Sequence, residues 1–438
     1  MRSPARWTAA DAERYLTTLE LFGMRFGLDR MRRLMTAMLH PERRFDSIHV
    51  VGTNGKSSTV RMTAAILERH GLRAGAYTSP HLVSFCERIR VGEADLDPAA
   101  FGAAVQRAAH AAELVDRSLP GEDRVTQFEA LTAAAYGELA AREVDIAVVE
   151  AGLGGRFDAT NVIPSKVQVL TSVGLEHTRW LGPTIADIAR EKLDVVKPGA
   201  TLVLGPDLHP DAEREAERRA AAVQARIVRA GRDPGVELGA LGAYQRRNFA
   251  VARAASEAYL GELEPTAVTA AAQEVRVPGR LQVVGEEPLT LLDGAHNAEG
   301  MAALVDSLSE IVGGRRLVAA VSILDDKDAA GMLRTLIPVC DALVLTTSQN
   351  PRALPPPTLE SLARQQRDDP RAAESGDAGR RAPGRREGPP SELVRDPLAA
   401  LLRARELAGA QGVALATGSI YLIADLVRPR GVARASML

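Results

Sequence analysis

Apolar positions along the chain follow two different periods. Near the N-terminus Leu16, Leu19, Phe22 and Phe26 recur at helical spacing, and Thr8 with Asp11 three positions later has the form of a capping box, so helices open the chain. The texture then changes to short β-prone runs. Ser47-Ile-His-Val-Val51 leads into Gly52-Thr-Asn-Gly-Lys56, a helical pattern from Ser57 to Arg69, and a second strand over Arg73 to Thr78. Strand, Gly-rich turn, helix and strand make a βαβ unit. Asp145 to Glu150, after a long Ala-rich helical region, and Lys166 to Ser172 supply two more strands. Apolar runs of this kind, spaced by helices, predict a parallel sheet covered on both faces.

The pattern restarts at Leu289. Leu289 to Asp293 is strand-like and ends in Gly-Ala-His-Asn, a helix follows, and further strands are predicted at Leu317 to Ser322, Ala342 to Thr346 and Val413 to Ala416. This is a second α/β unit, and Val277-Pro278-Gly279 before it reads as a hinge, so the chain is divided into residues 1–276 and 277–438. Residues 364–390 fit neither pattern: they hold seven Arg, five acidic residues, four Gly and four Pro, with no Leu, Ile, Val or aromatic residue. Such a segment cannot offset its ordering entropy by burial, and a disordered surface insertion is predicted there.

Composition supports a two-domain globular reading. The 438 residues are 46% apolar and 25% charged, enough to bury a sizeable core, and single cores usually stop growing by about 250 to 300 residues. Lys plus Arg number 54 against 56 Asp plus Glu, and a formal charge of -2 gives no global reason to bind nucleic acid or an anionic membrane. An anionic ligand must be held by a local site. Two cysteines, Cys86 and Cys340, exclude a disulfide framework and a Cys-rich metal site, as expected of a cytoplasmic protein. No stretch approaches the roughly 20 apolar residues of a membrane span, and the N-terminus has no apolar signal core.

The strongest local chemistry is Val50-Val-Gly52-Thr-Asn-Gly55-Lys56-Ser57-Ser58-Thr59 between a strand and a helix. Backbone N–H groups of such a turn, with the positive helix end, surround phosphate oxygens; the Lys ammonium reaches the terminal phosphates, and a neighbouring hydroxyl can ligate Mg²⁺. The usual spacing would place Gly at position 50, where this chain has Val, so a purely structural Gly turn is the alternative. Glu150 closes a strand just before Gly152-Leu-Gly-Gly155, at the edge where open α/β sheets place ligands, and a carboxylate there suits Mg²⁺.

GTNGKSST at Gly52, TSPHLVSFCERIRV at Thr78, TQFEALTAAAYGEL at Thr126, EAGLGGRFDATNVI at Glu150 and TSVGLEHTRWLG at Thr171 resemble the folylpolyglutamate synthase and dihydrofolate synthase family of the Mur ligase superfamily. The resemblance continues through AREKLDVVKPG at Ala189, YQRRNFAVA at Tyr244, PGRLQVV at Pro278, LLDGAHNAEG at Leu291, TTSQNPRALPP at Thr346 and ATGSIYLIADLVR at Ala416. It implies an α/β architecture: a P-loop, Mur-ligase-like central domain with a parallel sheet, and a smaller Rossmann-like C-terminal domain. The implied activity is an ATP-dependent amide ligase. A pteroate or folate carboxylate takes the γ-phosphoryl group and the amine of L-glutamate attacks the acyl phosphate, in a monomer that needs neither nucleic acid nor membrane.

Residue by residue, the resemblance implies ATP contacts from Thr53, Asn54, Gly55, Lys56, Ser57, Ser58, Asn248, Arg280 and Asp293. It implies pterin contacts from Thr126, Gln127, Phe128, Glu129, Phe157, Asp158 and Ala159. Two Mg²⁺ sites would draw on Ser57 or Ser58, Ser79, Glu150 and His177, and on Lys192, which corresponds to a lysine carbamylated in several superfamily members. Carbamylation needs a neutral amine, hence a lowered pKa. His296 would lie near the phosphates and the incoming glutamate, and with Lys56 and Lys192 completes the implied catalytic set.

Departures from the family pattern keep other readings open. Ser57 stands where Gly is usual, Cys86 where Asn is common, Glu176 where Asp is common before His177, and Tyr244 where His is usual before Gln245. A Mur-type ligase for another carboxylate is the alternative that Ser57 sustains. A nucleotide-binding regulator without ligase activity would have lost the residues at Lys56, Glu150, His177, Lys192, Asp293 and His296, and all are present.

Overall fold

The computed structural model describes residues 5–20, 27–368 and 389–428. The chain divides into two compact units, the first holding the residues up to Gly239 and Arg246–Val275, the second Ala240–Gln245 and the residues from Arg276 on.

The first unit is built on an eight-stranded sheet in the order β4-β3-β2-β5-β1-β6-β7-β8. These strands are β1 (Asp46–Val51), β2 (Ala74–Tyr77), β3 (Ile89–Val91), β4 (Ala94–Asp95), β5 (Ile146–Glu150), β6 (Val167–Leu170), β7 (Thr201–Leu204) and β8 (Arg226–Arg229). β1 lies between β5 and β6 and pairs with both in parallel, Val50 opposite Glu150 and also opposite Val169. β2 and β5 to β8 keep the parallel sense, whereas at one edge β3 runs antiparallel to β2 and β4 turns back antiparallel to β3.

The alternation of strand side chains explains why both faces are covered. Ile146 and Val148 point to one core, with Ile48 and Val50, and receive Val60, Ala64 and Leu67 from the helix Lys56–Arg69; these three recur at helical spacing on one face. Ala147 and Val149 point to the opposite side, into a core filled by the helices Ala9–Thr18, Asp29–Ala37, Pro98–Asp116 and Gln127–Ala141. Because the strands are parallel, their C-terminal ends, and the loops beginning at Gly52, Thr78, Ala151 and Thr171, share one edge of the sheet.

The second unit has a six-stranded sheet ordered β13-β12-β11-β14-β10-β9. Its strands are β9 (Gln282–Glu286), β10 (Leu289–Leu292), β11 (Leu317–Val321), β12 (Ala342–Leu345), β13 (Ser391–Leu393) and β14 (Val413–Thr417). β10 to β14 are parallel and β9 is antiparallel to β10. Insertion of β14 between β11 and β10 makes a switch in strand order, where the C-terminal ends of neighbouring strands diverge into loops.

Sequence reading located the long apolar strands to within a residue or two and missed β3, β4, β7, β8, β9 and β13. β3, β4 and β13 are short, β8 and β9 carry charged residues such as Arg226, Arg229 and Glu286 that break the apolar pattern, and β7, four residues without a charge, has neither feature. The Thr8–Asp11 capping box is present, whereas Phe22 and Phe26 lie outside the described residues. Residues 364–368, assigned to the disordered insertion, instead form the last turn of the helix Pro356–Asp368, with Arg364 bonded to Glu360 at 3.0 Å; residues 369–388 lie outside the described residues. No helix among the described residues is long and apolar enough to cross a membrane.

His49, in the middle of β1, is fully buried and its Nε2–H donates to Thr160 Oγ1 at 2.8 Å. Burial, and secondarily the positive charge of Lys197, push its pKa down to about 3. The unfolded chain therefore takes up a proton below about pH 6.5 that the folded chain refuses until pH 3. His49's contribution is fully present above pH 6.5 and is lost as pH falls, by about 1.4 kcal/mol per unit. Denaturant titrations should show His49→Gln losing about 2 kcal/mol less than the wild type between pH 7 and pH 5; equal losses in the two proteins would refute the assignment.

Candidate functional site

In the first unit, the turn after β1 is bent by two glycines with positive φ, Gly52 at 155° and Gly55 at 85°. A Cβ at Gly52 would collide with Thr171 Oγ1, and one at Gly55 with Asn248 Oδ1, so both positions also require the missing side chain. The turn is tied to the loop after β6: Thr53 N–H donates to Ser172 O at 2.9 Å and Asn54 N–H to Ser172 Oγ at 2.8 Å. Gly55 then caps the helix Lys56–Arg69, whose N-terminus opens at the sheet edge. Asn248 thereby borders the loop.

Two lysines converge on this turn. Lys56 Nζ donates to Gly52 O and Thr53 O, each at 3.1 Å, and Lys192 Nζ donates to the same Gly52 O at 2.9 Å. Lys192 sits near the end of the helix Ile185–Leu193 and is buried. Burial first, and the nearby Lys56 charge second, push its pKa down to about 7, against the weaker opposing pull of Glu176 and Asp158. A large fraction of this amine is therefore neutral near pH 7.

Glu150, buried at the end of β5, accepts from Ser57 Oγ at 2.9 Å through Oε1 and from Ser79 N–H at 3.1 Å through Oε2. Of the two serines that the sequence leaves open, Ser57 is the one whose hydroxyl reaches this carboxylate; Ser58 is buried in the helix. His177 adopts a left-handed conformation (φ 54°) with its Nε2 4.0 Å from Glu176 Oε1. No cluster of three or more His, Cys, Asp or Glu able to hold a metal occurs among the described residues. One carboxylate with an adjacent hydroxyl is nevertheless the donor set that suits Mg²⁺, which keeps most of its waters and takes further oxygens from substrate phosphates.

The residues assigned to the pterin separate into two groups. Thr126 and Glu129 form the capping box of the helix Gln127–Ala141, and Glu129 also pairs with the buried Arg30 through Arg30 Nε at 3.0 Å. Gln127 Nε2 donates to Leu16 O at 2.8 Å. Asp158 accepts from Leu153 N–H at 2.8 Å, Thr160 N–H at 3.0 Å and the Thr160 hydroxyl, and Ala159 is buried. These polar groups hold the fold locally, and burial raises the Asp158 pKa against its hydrogen bonds. The two rings are different. Phe128 is half-buried, against Tyr77 and over Gly152, and Phe157 is 42% exposed with the Arg156 guanidinium 5.1 Å from its centroid.

In the second unit, Asp293 closes β10 and is buried; its carboxylate accepts from Ala295 N–H at 2.9 Å, Leu281 N–H at 2.9 Å and Tyr244 Oη–H at 2.6 Å. His296 donates from Nδ1 to Gly294 O at 2.9 Å, which fixes the proton on that nitrogen. Arg280 is half-buried and donates from Nη1 to Gly279 O at 3.0 Å.

Sequence reasoning missed two features. Ser348 Oγ and Thr417 Oγ1 are buried hydroxyls without a hydrogen-bond partner among the described residues, placed by β12 and β14 at the C-terminal edge of the second sheet. Arg61, on the phosphate-loop helix, makes no hydrogen bond or ion pair with a described residue, and burial, then repulsion from Arg90, lower its pKa to about 10. Spacing of four from Ser57, which puts the two on one helix face, was the available signal for Arg61; the hydroxyls lie in motifs rich in Ser and Thr where nothing local singles them out.

Comparison with known proteins shows the family. Residues 279–420 match the glutamate ligase domain of the Mur ligases. The chain is 35% identical over 375 residues to the dihydrofolate synthase/folylpolyglutamate synthase of Mycobacterium tuberculosis, covering 77% of this chain and 76% of that protein. It is 31% identical over 444 residues to the Bacillus subtilis protein of the same name, covering 95% and 97%. The solved structure of Mycobacterium tuberculosis folylpolyglutamate synthase complexed with ADP and AMPPCP superposes with a TM-score of 0.82 at 30% identity, over 95% of this chain and 97% of that one. With matches of this extent across both units, the chain belongs to the dihydrofolate synthase/folylpolyglutamate synthase family.

Proposed function

We propose that the protein joins L-glutamate to the carboxylate of dihydropteroate, of a folate, or of both, at the expense of ATP. The observation that carries this reading is the convergence of Lys56, Lys192, Ser57 and Glu150 on one phosphate-loop turn. A carboxylate is a poor electrophile until one of its oxygens becomes a leaving group. Its oxygen attacks the γ-phosphorus, ADP departs, and an acyl phosphate forms; the glutamate amine then attacks the carbonyl carbon, and phosphate leaves as the amine proton passes to solvent or a nearby base.

Catalysis of such a transfer is mainly positioning and charge stabilisation. The turn's N–H groups and the N-terminus of the helix Lys56–Arg69 receive phosphate oxygens, and Lys56 exchanges its two backbone carbonyls for the terminal phosphates. Ser57 and Glu150 would hold a divalent cation, which would neutralise phosphoryl charge. Phe128 and Phe157 offer ring faces to a planar pterin. Asn248, Arg280 and Asp293 serve the nucleotide, with Asn248 already against the loop.

The buried Lys192, with a large neutral fraction near pH 7, is set up for reaction with CO₂: its neutral amine bonds the carbon, one proton is released, and an anionic carbamate stands beside Lys56. A second cation site would draw on this carbamate and His177, whose neighbour Glu176 lies within electrostatic reach of Lys192.

Phosphate release should appear with ATP, Mg²⁺, glutamate and either dihydropteroate or tetrahydrofolate, and Lys56→Ala should abolish it with melting unchanged. Turnover only with a peptidoglycan precursor would overturn the substrate assignment. For the modification, intact-protein ¹³C NMR after incubation with labelled bicarbonate should show a carbamate signal that Lys192→Ala lacks, and short carboxylic acids should restore activity to that variant. Absence of the signal together with failure of rescue would rule the carbamate out.

A further inference from the structure

Leu281 has a φ of 45°, in the left-handed region that an L-residue with a branched side chain avoids. It has no side-chain oxygen to compensate locally, so the conformation persists only because its surroundings enforce it. Those surroundings are specific. The Leu281 N–H donates to Asp293 Oδ2 at 2.9 Å, and its side chain is buried in the core of the second unit, against Gly242, where a Cβ would collide with it. The preceding residue is Arg280.

Arg280 is held on the other side by the same turn. Gly294 N–H donates to Gly279 O at 2.8 Å, Arg280 Nη1 donates to that same oxygen at 3.0 Å, and the guanidinium rests in the notch at Gly294, where a Cβ would collide with Nη1. Beyond this one bond, the guanidinium makes no hydrogen bond or ion pair with a described residue, so its remaining donors are available to an anion. Leu281 N–H and Gly294 N–H thus fix the backbone on both sides of Arg280.

One side chain completes this clip. Tyr244 Oη–H donates to Asp293 Oδ2 at 2.6 Å, the oxygen that also receives Leu281 N–H. Burial, reinforced by the Asp293 charge, raises the Tyr244 pKa well above 10, so the phenol stays a donor over the working range. With Ala295 N–H on the other oxygen, three donors fix the carboxylate's rotation, and its strong hydrogen-bonding capacity is largely committed inside the protein.

We infer that Tyr244 is a positioning residue for the nucleotide: through Asp293 it holds Leu281 in its strained conformation and so aims the Arg280 guanidinium at a phosphate or another anionic part of ATP. This rests on the ligase reading above and refines it, because Asp293 then acts through Arg280. Loss of the hydroxyl leaves the ring, the packing and two N–H donors in place, but frees the carboxylate to turn and Leu281 to relax.

The test is steady-state kinetics of Tyr244→Phe with ATP varied, together with calorimetric titration of ADP. KM for ATP and Kd for ADP should each rise about tenfold, the scale of one hydrogen bond to a charged group, while kcat and KM for glutamate stay within about twofold. In an Arg280→Ala background Tyr244→Phe should add nothing further to KM for ATP. Gly294→Ala, which fills the notch without touching Tyr244, should reproduce the KM signature. Wild-type nucleotide affinity in both Tyr244→Phe and Gly294→Ala, or effects of Tyr244→Phe and Arg280→Ala that simply multiply, would overturn the inference. A wild-type protein that binds ADP alongside an indistinguishable Tyr244→Phe overturns this inference alone, whereas a wild-type protein that binds no ADP overturns the ligase reading and this inference with it.

Discussion

The carbonyl oxygen of Gly52 receives the ammonium groups of both Lys56 and Lys192, and much of the surrounding structure makes that arrangement tolerable. Burial away from water is the larger cost to Lys192, and the nearby Lys56 charge adds to it, so its pKa drops to about 7. The turn that presents this oxygen exists because Gly52 and Gly55 lack side chains and because Thr171 and Ser172, at the end of the neighbouring strand, fasten it. A triphosphate arriving at this turn would find N–H groups, a helix N-terminus and cationic side chains already oriented, and its negative charge would relieve the repulsion. Anion recognition at such a turn would be local, and so compatible with a chain whose formal charge is only -2.

Buried polar groups divide the work around the site. Asp158, Thr160 and His49 form a hydrogen-bonded chain that ties the loop after β5 to β1, and Glu129 with Arg30 ties one helix N-terminus to another helix. Breaking a buried ion pair of this type by removing one partner typically costs about 3–5 kcal/mol, so these residues carry stability close to the ligand-facing edge. The half-buried Phe128 and the exposed Phe157 are left to offer apolar surface. In the second unit the same economy appears at Asp293, whose carboxylate orders a turn around the half-buried Arg280.

The legible part of this protein was the local part. The strand, glycine turn and helix spanning Asp46 to Arg69 could be read because their signals, an apolar run, two glycines, a lysine and a helical period, are contiguous in sequence. The family motifs likewise brought Glu150 and Ser57 into the account, and the structure places them 2.9 Å apart. Less legible was the use made of each motif residue. Glu129, given to the pterin by the family motif alone, also pairs with Arg30, 99 positions away, which nothing near it in sequence revealed. Tyr244 looked like a simple departure from the family pattern until Asp293, 49 positions on, supplied its partner. Short edge strands such as β8 were missed because their charged ends hide the period. Long-range pairing decides such cases, and a one-dimensional pattern does not contain it.

The proposed reaction activates a carboxylate by phosphorylation before glutamate attacks. Isotope transfer tests this directly. With both carboxylate oxygens of the dihydropteroate or folate acceptor labelled with ¹⁸O, one labelled oxygen should pass into each phosphate released during ligation, because the bond broken when glutamate attacks is the one between the carbonyl carbon and the bridging oxygen. Phosphate released without label while the amide product accumulates would show that water took the phosphoryl group, and would contradict the acyl-phosphate account.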